Sequence, residues 1–224
     1  MSFLAYAAKI AAGAARTGLT LRLEGGASAL VDALAAELDV RLGAKVVGIE
    51  EAGGPRLRLG DAESIPAARV ILAVPLTVQR DIRFEPPPPP HRRLALRQAR
   101  YGEVVKAALA EGDGDRELPE LTADGLLYRP DPRLALLVLF AGAGAARRAR
   151  KRQSLAAVDW TAEPFSRGSY LIFGPGDLTT WGRRLAEPHE RVHFAGSEAS
   201  DLPSYAEGAV RAGERAADEV LAAG

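Results

Sequence analysis

The segment "HFAGSEASDLPSYAEGAVRAGERAA", residues 193–217, is the most informative stretch of the chain. It reads as a short strand, a turn built on Gly196 and Ser197 with Glu198 just behind, and a helix from Ser204. Along that helix Ala206, Ala209, Val210, Ala216, Ala217, Val220 and Leu221 fall on one face, with Gly213 filling the gap, and this face is assigned to the core. Glu207, Arg211, Glu214, Arg215 and Asp218 take the other face, where Glu207 and Arg211 form a favourable pair one turn apart. A face made almost entirely of Ala and Gly can lie very close to a sheet or to another helix. The first turn of a helix carries free N–H groups and partial positive charge. Such a place suits a phosphate, or a group that becomes negative during a reaction. Tight packing explains the same small residues equally well.

Upstream, residues 3–16 read as an Ala-rich helix, and Leu19, Leu21 and Leu23 alternate like a strand. After Gly25-Gly26 a second helix is expected, capped by Ser28, with Leu30, Val31, Leu34 and Leu38 as its apolar stripe. "DVRLGAKVVGIEEAG" reads as strand, turn, strand, and "PRLRLGD" as part of a meander hairpin. "ARVILAVPLT" is continuously apolar from Val70 to Val74, the pattern of a strand covered on both faces. Five prolines in "RFEPPPPPHRR" are expected to form a stiff polyproline crossover between two lobes. Further on, "YGEVVKAALAEG" reads as a strand, and "DGLLYRPDPRLALLVLFAG" as two strands around a Pro-Asp-Pro turn. "AARRARKR" is a basic cluster without aromatic interleaving, the pattern of a solvated helix face.

At 224 residues the chain can bury a sizeable core as one large domain or two small ones. Lys plus Arg equals Asp plus Glu at 29 each, so no global field draws the chain to nucleic acid or an acidic membrane. The absence of Cys excludes disulfides, thiolate metal sites, a Cys nucleophile and a cysteinyl cofactor link. The three histidines have no metal-ligand spacing. No apolar run is long enough to span a bilayer. The opening "MSFLAYAAKIAAGAARTG" lacks a basic leading region and is interrupted by Lys9, so it reads as a helix rather than a signal peptide. A cytoplasmic protein without membrane or nucleic-acid partners is expected.

"RVHFAGSEASDLPSYAEGAVRAGERAADEVL" resembles the C-terminal motif of the flavin-dependent amine oxidases: strand, FAG-[ST]-E, loop, GYMEGA, AGERAA. "RLEGGASALVDALAAEL", "RVILAVP", "FEPPPPP" and "YGEVVKAAL" resemble further family segments in the same order. The resemblance implies an α/β fold with an FAD-binding, Rossmann-like domain over residues 19–83 and 155–224, incomplete in this chain. It places elements of a shortened substrate domain, with a mixed or antiparallel sheet, in residues 1–18 and 84–154. FAD would lie against Gly196, Ser197 and Glu198 through its pyrophosphate and ribityl chain. Its pyrimidine end would meet the backbone near Ala206, its adenine end Val46 and Ala73, and Trp160 would stand near the ring system. Tyr170 and Tyr205 would sandwich the amine substrate, and Lys106 would hold a water against flavin N5. Ser169 stands where some members carry the Cys that bonds to flavin, so binding here would be non-covalent. The implied reaction takes an amine to an imine, with dioxygen reoxidising the flavin to give hydrogen peroxide.

The sequence departs from the family pattern in one decisive respect. The strand–GxGxxG–helix unit that grips the ADP part of FAD is missing: Gly25-Gly26 and "AGAGAA" at 141–146 lack its spacing and context. The chain therefore reads as a C-terminal portion, and two functions stand side by side. One is an oxidase half that binds FAD jointly with an N-terminal partner chain carrying GxGxxG. The other is a non-catalytic remnant or interaction module that keeps the fold without flavin. In either case an uncovered apolar edge and face are expected, and with them self-association.

Overall fold

The computed structural model describes residues 23–110, 120–122, 125–131, 134–140 and 154–224. The expected helix over 3–16, Leu19 and Leu21, the "AGAGAA" stretch and the basic cluster lie outside them. Helix α1 spans Gly26–Ala35, and three short strands come after it: β1 (Val46–Glu50), β2 (Arg56–Leu59) and β3 (Ser64–Pro66). Next come β4 (Val70–Leu72), α2 (Leu76–Gln79), β5 (Arg83–Glu85), α3 (Pro90–Gln98) and β6 (Arg100–Tyr101). Strands β7 (Val104–Ala110), β8 (Glu120–Thr122), β9 (Gly125–Asp131), β10 (Leu134–Phe140) and β11 (Ser154–Asp159) form one antiparallel sheet in the order β11-β7-β10-β9-β8. The chain closes with β12 (Leu171–Ile172), α4 (Asp177–Thr180), β13 (Val192–Phe194) and α5 (Ala206–Ala222).

The expected hairpin of β1 and β2 is present, and β3 extends it. β1 pairs antiparallel with β2, β2 with β3, and β5 adds to β1 in parallel, giving the order β3-β2-β1-β5. β4 and β13 form a separate parallel pair, with Val192 opposite Val70 and Phe194 opposite Leu72. One apolar cluster joins these units: Val70, Leu72, Val192 and Phe194 pack with Ile49 and Phe84 from the four-stranded sheet and with Ala212 of α5. A second gathers Leu76, Ala95, Leu171, Phe173, Trp181 and Leu185. Each large apolar side chain buried this fully contributes about 1.5–3 kcal/mol. Between the clusters, Arg92 of α3 is 1 % exposed, its guanidinium 3.2 Å above the Phe194 ring centroid. It donates to Gln79 Oε1 at 3.0 Å and to the Leu185 carbonyl, partners that offset its burial.

Several sequence expectations are corrected. β4 is covered on one face only: Val70 and Leu72 are buried, whereas Ile71, pointing the other way, is 42 % exposed. On α5 the buried residues are Gly208, Ala212 and Ala216, a stripe that shares only Ala216 with the expected one. The expected face carries Val210, 56 % exposed, and Leu221, 78 % exposed. The reason is closeness: only the smallest side chains fit against the turn backbone, so the larger aliphatics are turned outward. Helix α1 forms, but its N-cap is Gly25 at φ 78°, not Ser28. Its expected stripe is uncovered: Leu30, Val31 and Leu34 on the helix, and Leu38 beyond its end, are all more than half exposed. Residues 39–45 form no strand, only a turn at Leu42–Gly43, because both edges of β1 are already taken by β2 and β5. The last proline, Pro90, opens α3 instead of extending the crossover, since the first helical position needs no N–H.

Candidate active site

The turn after β13 is held from several directions. Gly196 sits at φ 95°, a conformation that L side chains rarely adopt. A Cβ added there would lie 3.0 Å from Glu198 Oε2 and 3.9 Å from the Ala73 carbonyl, so the backbone is bare where the end of β4 and the turn approach. The Ala195 N–H donates to the Leu72 carbonyl at 3.0 Å, and the Ala199 N–H closes the turn on the Gly196 carbonyl at 3.0 Å. Ser200 Oγ donates to the Ser197 carbonyl at 3.0 Å and accepts from the Leu202 N–H at 3.1 Å. The loop then passes Ser204, at φ 75°, and enters α5 with Tyr205 as N-cap. Gly208 lies so close beneath the loop that a Cβ would stand 2.0 Å from the Leu202 carbonyl oxygen.

The aromatic residues are carried by a second set of contacts. Leu171 pairs with Tyr101 in β12–β6, and the Gly102 N–H donates to the Tyr170 carbonyl at 3.0 Å. Ser169 donates to the Gly102 carbonyl through both its N–H and its Oγ. The Trp160 N–H donates to the Val104 carbonyl at 3.0 Å, at the start of β7. The loop between Trp160 and Tyr170 is pinned to α2, where Thr77 Oγ1 donates to the Ser166 carbonyl at 2.6 Å. Arg167 pairs with Asp81, and its guanidinium holds that carboxyl below the usual carboxylate range. Ser204 Oγ donates to the Leu171 carbonyl at 3.4 Å, which brings the two tyrosine-bearing segments side by side.

Most of the residues singled out in the sequence therefore belong to two adjoining arrays. Ala73, Gly196, Ser197 and Glu198 cluster at the open ends of β4 and β13, with Tyr205 and Ala206 at the head of α5 beyond the loop. Trp160, Ser169 and Tyr170 hang on the Tyr101–Val104 segment. Lys106 lies two residues further along β7, exposed, with Val138 and Val158 as its register partners. Val46 stands apart in the four-stranded sheet, half-buried against the apolar cluster that holds β4 and β13. A cavity of about 770 Å³ opens on the α4 side of the turn, between Phe173, Leu178 and Arg183 on one wall and Arg211 and Ala212 on the other. Of the predicted residues only Glu198 lines it.

One residue that links the arrays was not singled out from sequence. The Tyr101 hydroxyl donates to Glu198 Oε1 and accepts the Leu76 N–H at 3.1 Å. Burial and the neighbouring Glu198 charge raise its ionisation well above the ordinary phenol value, so it keeps its proton and acts as donor.

Residues 4–111 and 108–221 match the family model described as flavin containing amine oxidoreductase. The chain belongs to this family. It is 31% identical over 251 residues to a flavin-containing amine oxidase of Danio rerio, covering 92% of this chain and 48% of that one. It is 29% identical over 220 residues to (S)-6-hydroxynicotine oxidase of Paenarthrobacter nicotinovorans, covering 88% and 52%. The fold matches cyclohexylamine oxidase from Brevibacterium oxydans with a TM-score of 0.69 at 24% identity, over 87% of this chain and 52% of that one. The chain thus spans about half the length of the relatives it matches.

The residues present fit the flavin that the family carries. Gly196 leaves a cradle that a single Cβ would fill. Trp160 Nε1 is buried without a hydrogen-bond partner among the described residues, a donor left for something else.

Proposed function

We propose that this chain supplies the C-terminal, substrate-facing portion of an FAD-dependent amine oxidase. The observation that carries the reading is the meeting of the bare Gly196–Glu198 turn with the Tyr101–Gly102/Ser169–Tyr170 array. FAD, when bound, supplies the two-electron oxidation of the amine's CH–NH bond, with dioxygen as final acceptor and hydrogen peroxide as product. Gly196, Ser197 and Glu198 hold the pyrophosphate and ribityl chain, and the first N–H groups of α5 near Ala206 stabilise negative charge at the ring. Ala73 and Val46 face the adenine end, and Trp160 borders the ring system. Tyr170 and Tyr205 orient a neutral amine between their rings and exclude water, while Lys106 holds a water on the reacting side. Ser169 is committed to the Gly102 carbonyl, and with no Cys in the chain the flavin is held without a covalent bond.

A segment carrying GxGxxG, on a partner chain or on a longer form of this one, completes the site. The uncovered surfaces support this part of the reading: Ile71 on β4, Val210 and Leu221 on α5, and the stripe of α1. A parallel pair of only two strands is itself unusual, since parallel sheets are normally extended and covered on both faces.

The test is the visible spectrum of the purified 224-residue chain, alone, with added FAD, and co-expressed with a GxGxxG-bearing chain. Flavin bands that bleach anaerobically with an amine support the proposal. A colourless protein in all three preparations overturns it in favour of a non-catalytic module.

A further inference from the structure

We propose that the Tyr101 hydroxyl is a positioning group that latches the Glu198 carboxylate over Gly196 and so sets the turn in its flavin-holding form. The inference rests on the flavin reading of the Gly196–Glu198 turn. Glu198 has one carboxylate oxygen on the Tyr101 hydroxyl and the other at the space above Gly196. Left to rotate, that side chain can swing across the bare backbone that a cofactor must approach. The phenol fixes one oxygen and so settles where the other stands. Tyr101 is itself fixed. Its ring packs against the cluster of Leu76, Ala95, Leu171 and Trp181, and its strand pairs with β12. A Cβ added at Gly168 would lie 2.4 Å from Tyr101 Cβ, which shows how closely the loop closes over it.

The same hydroxyl accepts the Leu76 N–H, the first of α2 and immediately after Pro75, the proline that closes the stretch leaving β4. One oxygen therefore joins three segments: the start of α2, the turn after β13, and β6, which leads into Gly102 and, through it, to Tyr170. A hydroxyl is needed because the site requires a donor toward the carboxylate and an acceptor toward the N–H in one atom. Phe offers neither, and leaves the ring's packing intact.

The experiment compares Tyr101→Phe, Glu198→Ala and the double variant with the wild-type full chain. It reads FAD affinity by titration and amide exchange at Leu76 and Ala199 by NMR. A role limited to packing leaves both readouts unmoved in Tyr101→Phe, because the ring remains. The latch predicts FAD binding weaker by about ten-fold or more, the loss of a hydrogen bond to a charged acceptor. It also predicts faster exchange at Leu76 and Ala199 without a matching rise elsewhere, and a double variant little worse than either single one. Wild-type affinity and exchange in Tyr101→Phe, or effects that simply multiply, overturn it. If the wild type takes up no FAD in any preparation, the flavin reading falls, and exchange decides the latch alone: local acceleration keeps it as a structural tie, and unchanged exchange removes it.

Discussion

Gly208 and Gly213 lie in the same helix, α5, and call for opposite outcomes on mutation to Ala. In an open helix position Gly→Ala stabilises by roughly 0.5–1 kcal/mol, because Ala loses less backbone entropy on folding. At Gly213 a new Cβ meets nothing within 4 Å, so that gain should appear in full. At Gly208 it would lie 2.0 Å from the Leu202 carbonyl oxygen and 2.5 Å from Ser200 Oγ. Neither can yield cheaply, since Ser200 is bonded to both the Ser197 carbonyl and the Leu202 N–H. The helix must lift by about 1 Å, which opens the contacts of Ala212 and Ala216 beneath it and costs about 3 kcal/mol as overpacking strain. Set against the propensity gain, Gly208→Ala should destabilise by about 2 kcal/mol. Urea unfolding followed by far-UV circular dichroism reads this as a midpoint lowered by about 1 M, with Gly213→Ala raised. Equal midpoints for the two variants would refute the claim that α5 seats on the turn through Gly208.

Three further outcomes arise from the same geometry. Gly196→Ala forces a Cβ into a left-handed conformation 3.0 Å from Glu198 Oε2, so FAD titration should show affinity reduced at least about ten-fold; wild-type affinity would move the cofactor off this turn. Burial, reinforced by the Arg184 cation, pushes His91 below its ordinary value of 6.5. The unfolded chain then binds the extra proton first, so stability is lost as pH falls from about 6.5 toward the depressed value, and His91→Phe should flatten that slope in thermal melts from pH 7 to 5. Finally, Leu34 and Leu38 are 65 % and 68 % exposed, so the isolated chain should self-associate in sedimentation velocity and Leu34→Glu/Leu38→Glu should restore a monomer; a monodisperse wild-type monomer contradicts this.

Much of the local structure was legible in the sequence. Alternation gave the β1–β2 hairpin, because period-two patterning states which face of a strand is apolar, and Pro130 and Pro132 marked the turn between β9 and β10. The small-residue turn and the closing helix were readable from Gly196, Ser197 and the run of Ala and Gly after them. The prolines were readable as a break, but not as the start of α3. Pro90 needs only a free first-turn position, and the rest of that helix, "HRRLALRQ", has a weak apolar stripe because Arg92 occupies a core position. No periodicity argument assigns an arginine to the core. Its partners Gln79, Leu185 and Phe194 come from three separate segments.

What the sequence determined by itself was the chemistry at hand. A chain without Cys, with a glycine turn before an Ala/Gly helix and tyrosines at Tyr170 and Tyr205, fixes which groups can meet a cofactor and which bonds they cannot make. Tertiary structure decided which of them meet. It set the orientation of α5, turning Gly208 and Ala212 inward and Val210 and Leu221 outward, because a carbonyl at Leu202 leaves room for hydrogen alone. It also joined Tyr101 to Glu198 across 97 residues. That contact depends on the register of β6 with β12 and on the seat of β13 beside β4, long-range pairings that local patterning does not encode.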